Sequence, residues 1–129
     1  MVKTTLVGPD IGFGSDILDL LDRTKFPVSV ALWLKKRDSD EWNLLVGTSL
    51  IDREGRKGAY LRLIAVLSAE NRGPIALSDY PLILKGNRDP LIRGLRKLYG
   101  KAASVEGMRL GGHTIGGTWI PDAYVYRIH

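Results

Sequence analysis

Residues 28–50 read VSVALWLKKRDSDEWNLLVGTSL, and this stretch decides the fold. Apolar side chains recur at every second position on either side of a charged turn over residues 36–41, which is the period of a β-strand. The pattern predicts an antiparallel hairpin whose two aliphatic faces lie on one hydrophobic core.

The other side of this hairpin carries two large apolar residues, Trp33 and Leu45. If no helix covers that side, both are left in water, and exposed apolar patches of this kind mark partner or self-association surfaces. Trp33 and Leu45 are therefore a candidate partner surface, and a third hypothesis is a structural or interaction protein that forms a homo-oligomer or binds another protein through it. Burial beneath the first helix is the alternative interpretation.

Two helices flank the hairpin. A glycine-rich loop over residues 8–14 leads to Ser15, a good N-cap, and the helix that follows ends before Pro27. A second helix is predicted over residues 57–70, where apolar residues repeat at helical spacing. A short third strand is predicted over residues 80–85.

The clearest helix begins at Pro90, with Asp89 as its N-cap and Gly100 as its stop. A proline loses nothing at the first helical position because its missing amide would have no partner there. The predicted buried stripe consists of Leu91, Leu95 and Leu98.

Two strands are predicted at the end of the chain, over residues 107–115 and 118–128, with a tight turn at Gly116 and Gly117. The last strand is apolar on both faces, which is typical of a strand that is central in its sheet or lies at a subunit contact. The resulting order α-β-β-α-β-α-β-β predicts one α+β domain over residues 1–129, with a mostly antiparallel sheet and helices mainly on one face.

The composition agrees with one globular domain and excludes several classes of protein. The chain has 129 residues, 44% hydrophobic and 26% charged, which is near the globular average. It has no cysteine and two histidines, which excludes disulfide frameworks, zinc–cysteine sites and thiol nucleophiles, and no cofactor or metal is predicted. No apolar run is long enough for a membrane span or a secretory signal, so a cytoplasmic protein is expected.

Four segments carry a resemblance to known proteins. They lie at residues 26–33, 42–52, 89–96 and 119–127, the last of which reads WIPDAYVYR. Together they resemble a family of short, uncharacterised bacterial proteins. The resemblance implies a shared compact fold and implies no activity, cofactor or catalytic residue.

The positive charge is concentrated in one segment. Residues 85–109 hold seven cations against Asp89 and Glu106, a net charge of 7 − 2 = +5 that equals the net charge of the whole chain. The seven are Lys85, Arg88, Arg93, Arg96, Lys97, Lys101 and Arg109. They are the candidate residues for binding a polyanion, either a nucleic acid or an acidic protein. A solvated helix face is the alternative interpretation.

A second hypothesis is a small hydrolase or nuclease. It would use Asp52, Glu54 or Asp122 together with His113, because carboxylates and a histidine supply general acid–base chemistry. The hypothesis requires these side chains to converge in one pocket.

Overall fold

The computed structural model describes residues 8–69, 82–102 and 104–129. This part of the chain forms three helices and seven strands. The helices are α1 (Gly8–Arg23), α2 (Ser49–Ala69) and α3 (Pro90–Tyr99). The strands are β1 (Val30–Lys35), β2 (Trp42–Gly47), β3 (Leu82–Lys85), β4 (Arg109–Leu110), β5 (His113–Ile115), β6 (Thr118–Ile120) and β7 (Ala123–Ile128).

Five strands form one mixed sheet in the order β3-β2-β1-β7-β4. Only the β2–β3 pair is parallel among these neighbours, and β5 and β6 form a separate antiparallel hairpin. The predicted α+β class, the element order and the mostly antiparallel sheet are confirmed. The described part of the predicted third strand is β3, and residues 80 and 81 lie outside the described residues.

The sheet buries both of its faces. Helices α1 and α2 cover one face, whose buried residues are Ile17, Leu20, Leu21, Phe26, Trp33, Trp42, Leu44, Val46, Leu50, Ala59, Leu63, Leu67 and Leu84. Helix α3 and the β5–β6 hairpin cover the other, whose buried residues are Val30, Leu32, Leu45, Leu91, Ile92, Leu95, Val105, Leu110, Ile115, Ile120, Ala123, Val125 and Ile128. Two of the three helices thus share a face, and the third lies opposite.

This arrangement corrects the prediction for the hairpin. Leu32 is paired with Leu45 and Trp33 with Leu44, and directly paired residues point to the same side of a sheet. The two aliphatic sets therefore line opposite faces, not one core. Trp33 is 0% and Leu45 1% exposed, so the predicted partner surface at these residues is wrong. The alternation of apolar residues along a strand does not show whether one face of the sheet or both faces are covered by other elements.

The first helix begins at Gly8, not after Ser15, so Gly14 lies inside it. The reason is tertiary. A Cβ on Gly14 would stand 2.3 Å from the hydroxyl of Tyr126, which donates a hydrogen bond to the Ile11 carbonyl and accepts one from the Trp33 indole. The missing side chain lets α1 approach β7 closely.

The second helix also begins earlier than predicted, at Ser49. Gly55 interrupts it with φ 79° and ψ 171°, a backbone conformation that favours glycine, so the segment bends before the predicted helix continues. Residue 70, the predicted end, lies outside the described residues.

The two predicted C-terminal strands are each broken in two. Gly112, with φ 71°, separates β4 from β5, and Pro121 and Asp122 separate β6 from β7. The Gly116–Gly117 turn is confirmed, because both residues have positive φ as a two-residue hairpin turn requires. Strand β7 lies between β1 and β4, so its two apolar faces reflect an interior position.

Candidate polyanion interface

A hydrogen-bonded turn fixes the start of α3. The Asp52 carboxylate accepts hydrogen bonds from the backbone amides of Asn87 (2.7 Å) and Arg88 (3.3 Å), and the Ser29 hydroxyl donates to the Asn87 side chain (2.6 Å). The Asp89 side chain then accepts from the Leu91 and Ile92 amides, as the predicted N-cap should. These contacts tie the helix to α2 and to the residue that precedes β1.

Two glycines let other elements approach α3 closely, one in the middle of the helix and one just past its end. A Cβ on Gly94 would lie 2.7 Å from the Ile115 side chain and 3.1 Å from the Gly116 backbone, in the turn of the β5–β6 hairpin. A Cβ on Gly100 would lie 3.4 Å from the main chain of His129, just past β7. The hairpin turn therefore lies against the first half of the helix, and the residue that follows β7 lies near its last turn.

Four cations share the outward side of this helix. At about 100° per residue, they occupy about 140° of its circumference. Gly100 keeps helical backbone angles, so the turn continues beyond Tyr99. We call these four exposed side chains the α3 basic face: Arg93, Arg96, Lys97 and Lys101.

The α3 basic face surrounds a shallow depression of ≈ 630 Å³. Its lining residues are Pro90, Arg93, Gly94, Arg96, Lys97, Gly100, Lys101 and His129. Among the described residues, no aspartate or glutamate side chain forms an ion pair with Arg93, Arg96, Lys97 or Lys101. The Nε of Arg96 donates to the main-chain oxygen of His129 (2.7 Å), which orients that guanidinium toward the end of β7.

The other three predicted polyanion-binding residues stand apart from this face. Lys85 lies 3.4 Å from the Asp89 carboxylate, and Arg109 forms a two-pronged ion pair with Asp122. Arg88 is exposed in the turn that precedes α3. The structure thus gathers four of the seven predicted cations in one depression and pairs two others with carboxylates.

One apolar residue of α3 departs from the prediction. Leu91, Ile92 and Leu95 are buried against the sheet, but Leu98 is 61% exposed. The predicted stripe is therefore wrong at its last member. No element covers the last turn of α3 on that side within the part of the chain that the structure describes.

The residues of the enzyme hypothesis do not converge. Asp52 holds the turn after β3 and Glu54 pairs with Arg62 (3.0 Å), whereas Asp122 pairs with Arg109 at the start of β7. Strands β3 and β7 run in the same direction with two strands between them. These carboxylates are therefore about 14 Å apart across the sheet and at opposite ends of it.

The histidine of that hypothesis gives no support for a site either. His113 is exposed on β5, paired in register with Ile120. Within residues 8–69, 82–102 and 104–129, no group of three histidine or acidic side chains is placed to hold a metal ion.

A second groove of ≈ 320 Å³ runs between α1 and the loop after α3, over the outer part of β7. Beside it, Arg127 donates two hydrogen bonds to Asp22 (2.9 and 2.7 Å). These bonds hold the pKa of Asp22 below its ordinary value of 3.8, and the same contact raises the pKa of Arg127; partial burial opposes both shifts. The sequence gives no sign of this pair, because its members lie 105 residues apart.

Comparison with known proteins finds no family model, curated protein or solved structure that matches this chain. The described helices include none that is long and apolar enough to cross a membrane.

Proposed function

We propose that this protein is a non-catalytic binding module that holds a polyanionic partner on the α3 basic face. The observation that carries the proposal is the set of four exposed cations on one side of α3 and the turn that continues it, without an aspartate or glutamate partner among the described residues. Like charges this close repel one another, and a bound polyanion removes that repulsion while releasing its own counterions.

Neighbouring charged residues support this interpretation. The cations that the fold uses are held by carboxylates, as Arg109, Arg62 and Arg127 show. The α3 basic face differs, because four exposed cations are gathered there and no aspartate or glutamate of the described residues pairs with them. Arg96 and Lys97 also lie in the last turn of the helix, where cations favour the dipole, but this effect is worth only about 0.3–1 kcal/mol and does not require four of them.

We further propose that the protein acts in the cytoplasm, where nucleic acids and acidic proteins are both abundant. A cysteine-free chain suits that reducing compartment.

Salt-dependent binding tests the proposal. Heparin serves as the probe, with its dissociation constant measured by fluorescence anisotropy from 50 to 300 mM NaCl. With three to four anionic groups neutralised, we expect log affinity against log salt to fall with a slope of about −3.

A matched pair of double variants assigns the binding to the α3 basic face. The variant Arg93→Gln/Lys97→Gln removes from this face two cations that lie one helical turn apart, and Arg53→Gln/Lys57→Gln removes two exposed cations, also four residues apart in sequence, from either side of the bend at Gly55 in α2. We expect the first to reduce the slope by about 2 and to weaken binding about 60-fold at 0.1 M salt, and the second to leave both unchanged. Equal losses in the two variants, or no salt dependence, would show that the α3 basic face is not the binding surface.

A further inference from the structure

We infer that the polyanion is the phosphate backbone of a nucleic acid, bound without regard to base sequence; this inference rests on the proposed function of the α3 basic face. Charge spacing, the shape of the surface and the chemistry of its lining residues each support it.

Charge spacing favours a nucleic acid. From Arg93 to Lys101 the chain advances eight residues, about 12 Å at the helical rise of about 1.5 Å per residue. One strand of B-form DNA carries a phosphate about every 3.4 Å along its axis, so about three to four phosphates lie over that length. The four cations of the α3 basic face match this number.

An acidic polypeptide fits the same length less well. In an extended chain, alternate side chains point to opposite sides, so 12 Å offers about two carboxylates to one surface. An acidic helix could offer more, but carboxylates three and four residues apart repel and destabilise that helix. A phosphate backbone presents its charges at a fixed spacing, so it has neither of these two disadvantages.

The shape of the surface excludes insertion of α3 into the major groove. That groove is about 12 Å wide and accommodates a helix of about 10–12 Å diameter when the helix stands clear of its domain. Here the hairpin turn touches α3 near Pro90 and Gly94, and the main chain of His129 touches it at Gly100. A helix flanked in this way meets the outer phosphate ridge of a nucleic acid and does not reach the base edges.

The lining residues give the same result. The depression offers arginine and lysine donors, which suit phosphate oxygens, and its lining includes no asparagine or glutamine to read adenine and no phenylalanine, tyrosine or tryptophan on which a base could stack. Arginine and lysine also read guanine in the major groove, but the flanked helix does not reach the base edges. The contact therefore positions a backbone and carries no sequence information.

The test compares four labelled probes on the full chain at 100 mM NaCl. They are two 16-base-pair DNA duplexes of unrelated sequence, a single-stranded DNA with the same number of phosphates, and poly-L-glutamate of equal charge. We expect the two duplexes to bind within about threefold of one another and polyglutamate to bind at least tenfold more weakly. Arg93→Gln/Lys97→Gln should lose nucleic-acid binding, and Arg53→Gln/Lys57→Gln should retain it.

Each contrary outcome has a separate meaning. If polyglutamate binds as tightly as DNA and depends equally on Arg93 and Lys97, the inference fails and the proposed function stands. A preference of more than tenfold for one duplex overturns independence from sequence. If neither DNA nor polyglutamate nor heparin binds, the proposed function fails as well. Tighter binding of the single strand or of the duplex supports the inference in either case and identifies the form that is bound.

Discussion

The two faces of the sheet differ in how their positive charge is grouped. On the face covered by α1 and α2, Arg127 of β7 binds Asp22 of α1 and Arg62 binds Glu54 within α2, whereas exposed cations such as Arg53 and Lys57 have no carboxylate partner in the described ranges. On the face covered by α3 and the hairpin, four exposed cations are gathered on the α3 basic face, and no aspartate or glutamate of the described ranges pairs with them. The Asp22–Arg127 pair joins two elements of the fold, whereas the cations gathered on α3 are available to another molecule.

The two faces differ in how they are covered as well. The first contains a large aromatic network, in which the Trp33 indole donates to Tyr126 and Tyr126 donates to Ile11. The second is closed by a short helix and a glycine-rich hairpin turn that sits against it. The comparison predicts that substitutions in the first face act on stability and that substitutions on the surface of the second act on binding.

The largest effect is expected from Trp33→Ala. Trp33 is 0% exposed, and removing a buried large aromatic leaves a cavity that costs about 3–5 kcal/mol of unfolding free energy. Denaturant titration measures the loss. Trp119→Ala is the control, since Trp119 is 44% exposed and should cost much less. Equal losses would mean that Trp33 does not anchor this face.

A smaller effect is expected from Gly116→Ala, which tests how closely the hairpin turn sits on α3. A Cβ there would stand 2.1 Å from the Pro90 carbonyl, in addition to the strain of a φ of 57°. We expect a loss of about 2–3 kcal/mol, whereas Gly117→Ala, which has a similar strain but open space around it, should lose about 1 kcal/mol. If the two variants unfold at the same denaturant concentration, the close approach contributes nothing to stability.

A third effect is expected from Asp22→Asn and depends on pH. Because the folded-state pKa of Asp22 is lowered, its pair with Arg127 stabilises the fold fully above the ordinary pKa of 3.8 and loses that contribution as the pH falls through the lowered value. The pair is partly exposed, so we expect about 1 kcal/mol or less. The difference in unfolding free energy between the wild type and Asp22→Asn should be constant from pH 5 to 7 and shrink below pH 4. A difference that grows in acid would contradict this sign.

The smallest effect on stability is expected from Arg93→Gln/Lys97→Gln. Both side chains are exposed, so the unfolding free energy should change by no more than about 0.5 kcal/mol, even though polyanion binding falls. Thermal unfolding and the binding titration, run on the same preparation, check the two results together. A loss of several kcal/mol would mean that these cations serve the fold.

Local patterns predicted much of this molecule. The cap and start of α3 followed from Asp89 and Pro90, and the tight turn followed from Gly116 and Gly117, because each depends on neighbouring residues alone. The predictions failed where distant contacts decide. Gly14 suggested a loop, yet it lies inside α1. A residue without a side chain leaves room at this position for the Tyr126 hydroxyl, which packs against the helix.

The sequence by itself determined the class of fold, the order of its elements and the position of the surplus positive charge, since hydrophobic period, capping and composition are properties of short segments. Only the tertiary structure decided which face each strand residue meets and which cations remain unpaired. The sequence of a β-strand shows which residues share a face but not which elements cover that face, as the buried Trp33 and Leu45 illustrate. In the same way, the sequence shows where each arginine lies but not whether a carboxylate from another part of the chain pairs with it, as Asp122 pairs with Arg109.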